Sequence, residues 1–112
     1  MNMEINADGP VTIAKVSGQF DLGDEKRLGD ELHPLVAEPN SRVALDLSEL
    51  AAINSQGLSQ LINMVIRSRM NRSKVVMIAP TPFVMGVMEV TRLDAWFEIV
   101  DDVEAAVDLL NA

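Results

Sequence analysis

The chain has 112 residues, of which 48% are hydrophobic and 23% charged, a composition typical of one folded domain rather than a disordered segment. Its net charge of −8 argues against binding to nucleic-acid backbones or to anionic membranes, because both recruit an excess of Lys and Arg. The absence of cysteine excludes disulfides, a thiolate nucleophile and a cysteine-based zinc site.

Short strands alternate with helices along the sequence. The segments "MEI" and Val11–Val16 flank the turn-forming "NADGP" and predict an opening hairpin, and a helix follows between Asp24 and Pro39. The segment "SRVALDLS" predicts the third strand, and Ser55–Met70 predicts a helix. The apolar stripe of that helix is Leu58, Leu61, Ile62, Val65 and Ile66. Beyond it, "SKVVMIA" predicts a strand, "TPFVMGVMEVTRL" a short helix, "FEIV" a strand and "DDVEAAVDLLNA" a closing helix.

The order of these elements predicts an α/β fold with right-handed crossovers and a mainly parallel sheet of four to five strands. A parallel sheet that is covered on both faces has continuously apolar strands, but Lys15 and Asp46 interrupt two of the strands here. We therefore expect about four helices packed mainly on one face, with the other face partly open. No linker divides the sequence, so residues 1–112 are expected to form a single domain.

The sequence shows no targeting or membrane-spanning segment. Its first ten residues, "MNMEINADGP", lack the basic and apolar regions of a signal peptide. The most apolar region, Val75–Met88, contains Pro80 and Pro82 and falls short of the ~20 residues that a membrane span needs. We expect a cytoplasmic protein that does not insert into a membrane.

Groups suited to catalysis are scarce. His33 is the sole histidine and no nucleophile can be recognised around it, so solvation or capping is its expected role. Asp21, Asp24 and Glu25 form an acidic cluster at a helix start, but without the ligand spacing of a divalent-cation loop. The glycines match no phosphate-binding pattern. We therefore predict that the chain is not an enzyme and has no metal or cofactor of its own.

Two further features have two interpretations each. The basic run "RSRMNRSK" compensates a helix dipole and aids solubility, or it binds an anion, and the first interpretation is favoured. Met77, Met85 and Met88 fill the core, or they line an adaptable docking surface, and core filling is favoured.

The segment "INSQGL" places Ser55 where a strand has ended and a helix begins. Serine is a preferred N-cap, so Ser55 could simply accept a hydrogen bond from the first turn, although Asn54 could do so equally well. The same position also suits a phosphoryl group, because a helix N-terminus offers unpaired N–H groups and a partial positive charge. In that interpretation, Gly57 leaves room for the close approach of a kinase or partner, and Leu58 helps to form the docking surface. The residues alone leave both interpretations open.

The combination of "SGQFD" after the second strand, "VALDLSEL" in the third and "INSQGL" at a helix start resembles STAS domains. More narrowly, it resembles the bacterial anti-sigma factor antagonists, in element order, length and motif placement over almost the whole chain. That family typically has Asp-Ser-Ser-Gly-Leu or Asp-Ser-Thr-Gly-Leu, with phosphorylation on the serine after the Asp. The resemblance implies that Ser55 is the phosphorylation site, followed by Gly57 and Leu58, with Asp21 as the acidic residue close to it.

Two positions depart from the family motif. Asn54 stands where the family usually has Asp, and Gln56 replaces the second hydroxyl residue. Loss of the carboxylate could alter kinase recognition or the orientation of the Ser55 hydroxyl, and it removes one like charge from beside a phosphoserine. The bulkier Gln56 could change partner choice.

The resemblance implies partner switching without a cofactor. The unphosphorylated chain would bind an anti-sigma factor that is also a serine kinase, and a PP2C-type phosphatase would reverse the phosphorylation that ends this binding. The implied partner-binding residues are Asp21, Asn54, Ser55, Gln56, Gly57 and Leu58. The chain itself would be a monomer or weak dimer. The alternative is a non-cycling STAS accessory subunit that docks an ATPase, as in phospholipid-transport ABC systems.

Overall fold

The computed structural model describes residues 1–112 as one five-stranded sheet with four α-helices. The strands are β1 (Asn2–Asp8), β2 (Val11–Gly18), β3 (Arg42–Leu50), β4 (Lys74–Ile78) and β5 (Ile99–Val100). The helices are α1 (Asp24–Leu32), α2 (Ser55–Met70), α3 (Pro82–Val90) and α4 (Val103–Asn111). Short 3₁₀ segments cover His33–Val36 and Leu93–Ala95. None of the helices combines the length and the apolar character needed to cross a bilayer.

The strands lie side by side in chain order, with β1 antiparallel to β2 and the remaining pairs parallel. The predicted α/β fold with a mainly parallel sheet is thus confirmed. The opening hairpin is longer than predicted, because the first three residues of "NADGP" continue β1 up to the Asp8–Val11 pair. Only Gly9 and Pro10 form the turn, and Gly9 has the positive φ of 59° that glycine tolerates best.

The two faces of the sheet are covered unequally. Helices α1, α2 and α3 pack on one face around a core of 18 buried residues, which includes Leu28, Leu45, Leu61 and Met88. Helix α4 packs on the opposite face, where a smaller cluster is Val11, Ala44, Val76, Ile78, Ala106 and Leu110. The prediction of helices mainly on one face is confirmed, and α4 covers part of the other.

Lys15 and Asp46, the polar residues that interrupt two strands, face each other across β2 and β3. Asp46 points away from the main core, is 8% exposed, and accepts a hydrogen bond from the Ser48 N–H at 3.0 Å. Here the register advances two residues in β2 and three in β3, which is a β-bulge. Lys15 pairs with Glu49 beyond the bulge, and this hydrogen-bonded ion pair raises the pKa of the Lys15 amine above its usual value. The bulge therefore exposes Ser48 and Glu49 at the end of β3, while Leu50 stays in the core.

Helix α1 ends at Leu32, earlier than the boundary near Pro39 that the sequence predicts. Leu35 and Val36 fall in the 3₁₀ segment, because Pro34 lacks the N–H that would continue the α-helical ladder. Gly29 brings α1 close to α2, since a Cβ there would lie 2.5 Å from Oε1 of Gln60. His33 Nε2 lies 3.4 Å from the Gln60 carbonyl oxygen across the same contact, so His33 is half-buried rather than fully solvated.

The buried stripe of α2 differs from the predicted one at two positions. Met64 is fully buried, whereas Ile66 is 43% exposed. The buried positions Leu58, Leu61, Met64, Val65 and Ser68 recur three and four residues apart, and Ile66 falls outside this spacing. The predicted core role of the methionines holds for Met77 and Met88, while Met85 is only half-buried.

Candidate functional site

Three loops meet at the C-terminal ends of the parallel strands. They follow β2, β3 and β4, and two hydrogen bonds tie them together. The N–H of Ala51 donates to the carbonyl of Gly18 at 2.9 Å, and the hydroxyl of Thr81 donates to the carbonyl of Leu50 at 2.8 Å. Thr81 is also the N-cap of α3, so the start of that helix is fixed to the end of β3. Open parallel sheets usually carry their binding sites at this edge.

Asn54, and not Ser55, caps α2. Asn54 has extended backbone angles, and its Oδ1 accepts a hydrogen bond from the Gly57 N–H at 2.8 Å. Its carbonyl accepts the first helical bond, from the Leu58 N–H at 2.9 Å. An Asp side chain could accept the same bond, so the departure from the family motif at this position preserves the cap.

Ser55 is the first residue of α2, and its side chain is exposed. The backbone carbonyl of Ser55 accepts a hydrogen bond from the Ser59 hydroxyl at 2.9 Å, but the Ser55 hydroxyl has no partner within the chain. The N–H groups of Ser55 and Gln56 lie in the first turn, where a helix has no carbonyl to offer them. The site thus presents a free hydroxyl beside two unpaired backbone donors. Asn54 and Gln56 are also exposed.

Gly57 is buried beneath the ring of Phe20. A Cβ at Gly57 would lie 2.6 Å from Cζ of Phe20 and 2.9 Å from Cγ1 of Ile53, so no larger residue fits without movement. The idea that Gly57 admits an approaching partner is therefore wrong, because the space is already filled from within the chain. Leu58 is 6% exposed and belongs to the main core, so it supports the surface from beneath instead of contacting a partner.

Phe20 is the site residue that the sequence did not single out. It lies in the "SGQFD" segment, immediately before Asp21, and its contact with Gly57 joins two segments that are far apart in the chain. The sequence did contain a signal for this contact, namely a large aromatic residue in the loop after β2 and a glycine at the start of the predicted helix.

Asp21 is exposed in the loop after β2, at the same end of the sheet as Ser55. Its N–H donates to Oδ2 of Asp24 at 2.8 Å, and this hydrogen bond is the main reason that the pKa of the Asp24 carboxyl lies below its usual value. The Met1 amino group, 3.3 Å from the same oxygen, adds to the effect. Glu25 accepts from the N–H of Gly23 at 3.2 Å. The acidic cluster thus holds the loop in shape, and no group of three acidic or histidine side chains is placed to hold a metal ion.

Comparison with known proteins identifies the fold family. Residues 3–101 match the family model described as "Mlab, STAS domain". The chain belongs to the STAS domain family. The predicted STAS membership is thereby confirmed.

Several solved structures share this fold at low sequence identity. An anti-sigma factor antagonist from Mycobacterium paratuberculosis has a TM-score of 0.87 and 20% identity, over 99% of this chain and 94% of that one. A putative anti-sigma factor antagonist from Thermotoga maritima has a TM-score of 0.84 and 17% identity, over 98% and 95%. The Bacillus cell fate determinant SpoIIAA in its phosphorylated form has a TM-score of 0.73 and 11% identity, over 97% and 99%.

The fit between Phe20 and Gly57 predicts opposite effects of one substitution at two glycines of this STAS domain. Gly57→Ala should lower the free energy of unfolding by about 1–3 kcal/mol, because the new Cβ displaces Phe20 or Ile53. Gly86→Ala in α3 should leave it unchanged or raise it by up to ~1 kcal/mol, because a Cβ there meets nothing within 4 Å and alanine favours helix. Urea unfolding of both variants measures the difference, and equal effects would show that the packing at Gly57 is not restrictive.

Proposed function

We propose that this STAS domain is an anti-sigma factor antagonist that works by phosphorylation-controlled partner switching. Unmodified, it binds an anti-sigma factor that is also a serine kinase, and phosphorylation of Ser55 by that kinase ends the binding. The observation that carries this proposal is that the neighbouring residues Asn54 and Ser55 have different roles at the start of α2. Asn54 caps α2, which leaves the Ser55 hydroxyl exposed and without a partner in the first turn.

The start of α2 can accept a phosphate without loss of the fold. A phosphoserine at Ser55 adds a charge of about −1.5 to −2, next to the unpaired N–H groups and the positive end of the helix dipole. The first turn of α2 contains no acidic residue, so no side chain of that turn repels the new charge. The neutral amide of Asn54 contributes to this, since an Asp there would place a carboxylate beside the phosphate.

The surroundings of Ser55 also suit a macromolecular partner. Leu22, next to Asp21, is 97% exposed, and Phe83, in the first turn of α3, is 56% exposed. Exposed apolar side chains rimmed by polar ones are typical of protein interfaces. A doubly charged group at the same edge of the sheet would impose desolvation and like-charge repulsion on such an interface, and a few kcal/mol of differential affinity moves a partner from mostly bound to mostly free.

The remaining parts of the proposal concern the partners. The similar structures include a protein named SpoIIAA in a phosphorylated form and two named as antagonists, which supports a cycle of this kind. A PP2C-type phosphatase would restore the unmodified chain in the cytoplasm. Because ATP and magnesium would belong to the kinase, the chain needs no catalytic group and no cofactor of its own, and it would act as a monomer or weak dimer.

Incubation with the serine kinase encoded nearest to its gene should add one phosphate to this protein when ATP is present. Intact-mass spectrometry measures the increase, and peptide mapping should assign it to Ser55. Ser55→Ala should abolish incorporation, whereas Ser59→Ala, an exposed serine one turn further along α2, should retain it. Incorporation that persists in Ser55→Ala would refute the assignment of the site.

Ser55→Glu should weaken the affinity of this chain for the kinase by about tenfold or more, since it places a negative charge at the proposed contact position. Its thermal stability should stay close to that of the wild type, because acidic residues are tolerated in a first helical turn. Ser59→Glu is the matched control. Its affinity for the kinase should lie within about twofold of that of the wild type, since Ser59 lies one turn from the helix start. Isothermal titration calorimetry measures the affinities, and equal affinity of wild type and Ser55→Glu would remove the electrostatic basis of the switch.

The second candidate is a STAS accessory subunit that stays docked on an ATPase, as in phospholipid-transport ABC systems. Two observations favour it: the amide side chains on both sides of Ser55, and a matching family model described by the name Mlab. In this case the same surface binds the ATPase tightly, and no phosphate is incorporated at Ser55. The two experiments above therefore distinguish the candidates.

A further inference from the structure

The positive charge of this acidic chain is concentrated far from Ser55. Of its nine Lys and Arg residues, three form ion pairs with carboxylates, namely Lys15, Lys26 and Arg27. The other six have no carboxylate partner: Arg42, Arg67, Arg69, Arg72, Lys74 and Arg92. Four of these lie between positions 67 and 74, where α2 ends and β4 begins. The 16 residues of α2 separate this basic end from Ser55 by about 24 Å.

A groove opens at the basic end, along the outer edge of β4. It encloses a cavity of about 300 Å³ between the end of α2, the segment before β5, and α4. Apolar side chains dominate its walls, among them Val65, Trp96 and Phe97, and Arg69 and Lys74 add two cations. Glu98 is the only carboxylate in the lining. The volume lies at the lower end of the range typical of ligand pockets.

The floor of the groove is an unpaired stretch of sheet edge. Strand β5 covers only the end of β4, where the Met77 N–H donates to the Glu98 carbonyl at 2.8 Å. The Lys74 N–H points to the other side and donates to the Ser41 carbonyl at 2.9 Å. Because backbone groups alternate along a strand, the N–H and C=O of Val75 point to the same side as those of Met77, into the groove. Strand β5 does not reach them, and an unpaired donor and acceptor on a strand edge form a template for another strand.

Arg69 is held in position at the mouth of this groove. Its guanidinium lies 4.5 Å from the centre of the Trp96 ring, and its Nη2 donates to the Trp96 carbonyl at 3.3 Å. A guanidinium has five N–H donors, so most of them stay free for an anion. These two contacts with Trp96 restrict the Arg69 side chain, which lowers the entropy lost when a carboxylate binds.

We propose that this groove binds an extended acidic segment of a partner protein, which adds as a short strand beside Val75. The main chain of the segment pairs with the free N–H and C=O of Val75, an apolar side chain fills the cavity, and its carboxylates contact Arg69 and Lys74. The unpaired N–H and C=O of Val75 on the strand edge favour a peptide over a small carboxylate, and the cations without carboxylate partners favour an acidic peptide over a basic one. This surface is independent of the one around Ser55.

A synthetic peptide can test this proposal on the intact protein. The probe is the acetylated and amidated hexapeptide Asp-Val-Glu-Val-Asp-Val, and the readout is the fluorescence of Trp96, the single tryptophan of the chain. We expect a saturable change with this peptide, and no change with the hexapeptide in which Lys replaces every Asp and Glu. The same acidic peptide with alternate amides N-methylated should lose binding by about tenfold or more, because its strand hydrogen bonds are blocked.

Charge variants test the cationic contacts. Lys74→Glu should weaken the affinity for the acidic peptide by about tenfold, since it reverses an exposed charge that lines the groove. Arg67→Glu makes the same change on α2 outside the groove lining, and it should alter binding by less than about twofold at physiological ionic strength. Ser55→Glu should bind the peptide like the wild type, which separates this proposal from the function proposed above.

Four results would overturn the proposal. The first two are an absence of saturable binding of the acidic hexapeptide up to about 1 mM, and equal affinities for this peptide and its N-methylated form. The third is that Lys74→Glu and Arg67→Glu change the affinity for the acidic peptide equally. The fourth is that sodium octanoate competes with the peptide and binds with equal affinity. The last result would assign the groove to small amphipathic carboxylates instead.

Discussion

The hydrogen bond from the Gly57 N–H to Oδ1 of Asn54 decides what the start of α2 can do. A helix needs one residue to cap its first turn, and either of two neighbours in this chain could have served. Because Asn54 takes the role, the Ser55 side chain is released to solvent while the N–H groups of the first two helical residues stay unpaired. The same interaction therefore stabilises the helix and creates the chemical character of the site, a free hydroxyl in a region that favours negative charge.

That cap is held in place by contacts between segments that are distant in the chain. The ring of Phe20 rests on Gly57, the Gly18 carbonyl accepts from Ala51, and the Leu50 carbonyl accepts from Thr81. Parallel strands bring these loops to one edge of the sheet, and the bulge at Asp46 keeps Leu50 directed into the core as β3 ends. The surface around Ser55 thus lies on packed elements rather than on free loops. In the proposed switch, a charge added there would change the affinity for a partner while the fold is preserved.

The order and kind of the elements could be read from periodicity, because the helices and strands have well-separated apolar spacings and clear breakers. The choice of cap could not, since Asn and Ser have similar preferences and the backbone angles of one residue decide between them. The burial of Gly57 was missed, because it depends on Phe20, which lies more than thirty residues earlier in the chain. Met64 is buried where the sequence predicted Ile66, because the rotation of α2 against the sheet depends on packing and not on local sequence.

The two ends of α2 have opposite electrostatic characters, and the helix dipole accounts for both. The N-terminus carries unpaired N–H groups and no acidic residue in its first turn, whereas Arg67 and Arg69 lie in the last turn, where cations interact favourably with the unpaired carbonyls. The chain has a net charge of −8, and few other cations lack a carboxylate partner. The basic end of α2 is therefore a local region that attracts anionic groups. One helix therefore separates two surfaces that prefer negative charge, one suited to a phosphate on the chain itself and one suited to carboxylates from outside. About 24 Å of helix lies between the two proposed sites, which exceeds the Debye length of about 8 Å at physiological ionic strength. Both sites would therefore be occupied at once without electrostatic interference.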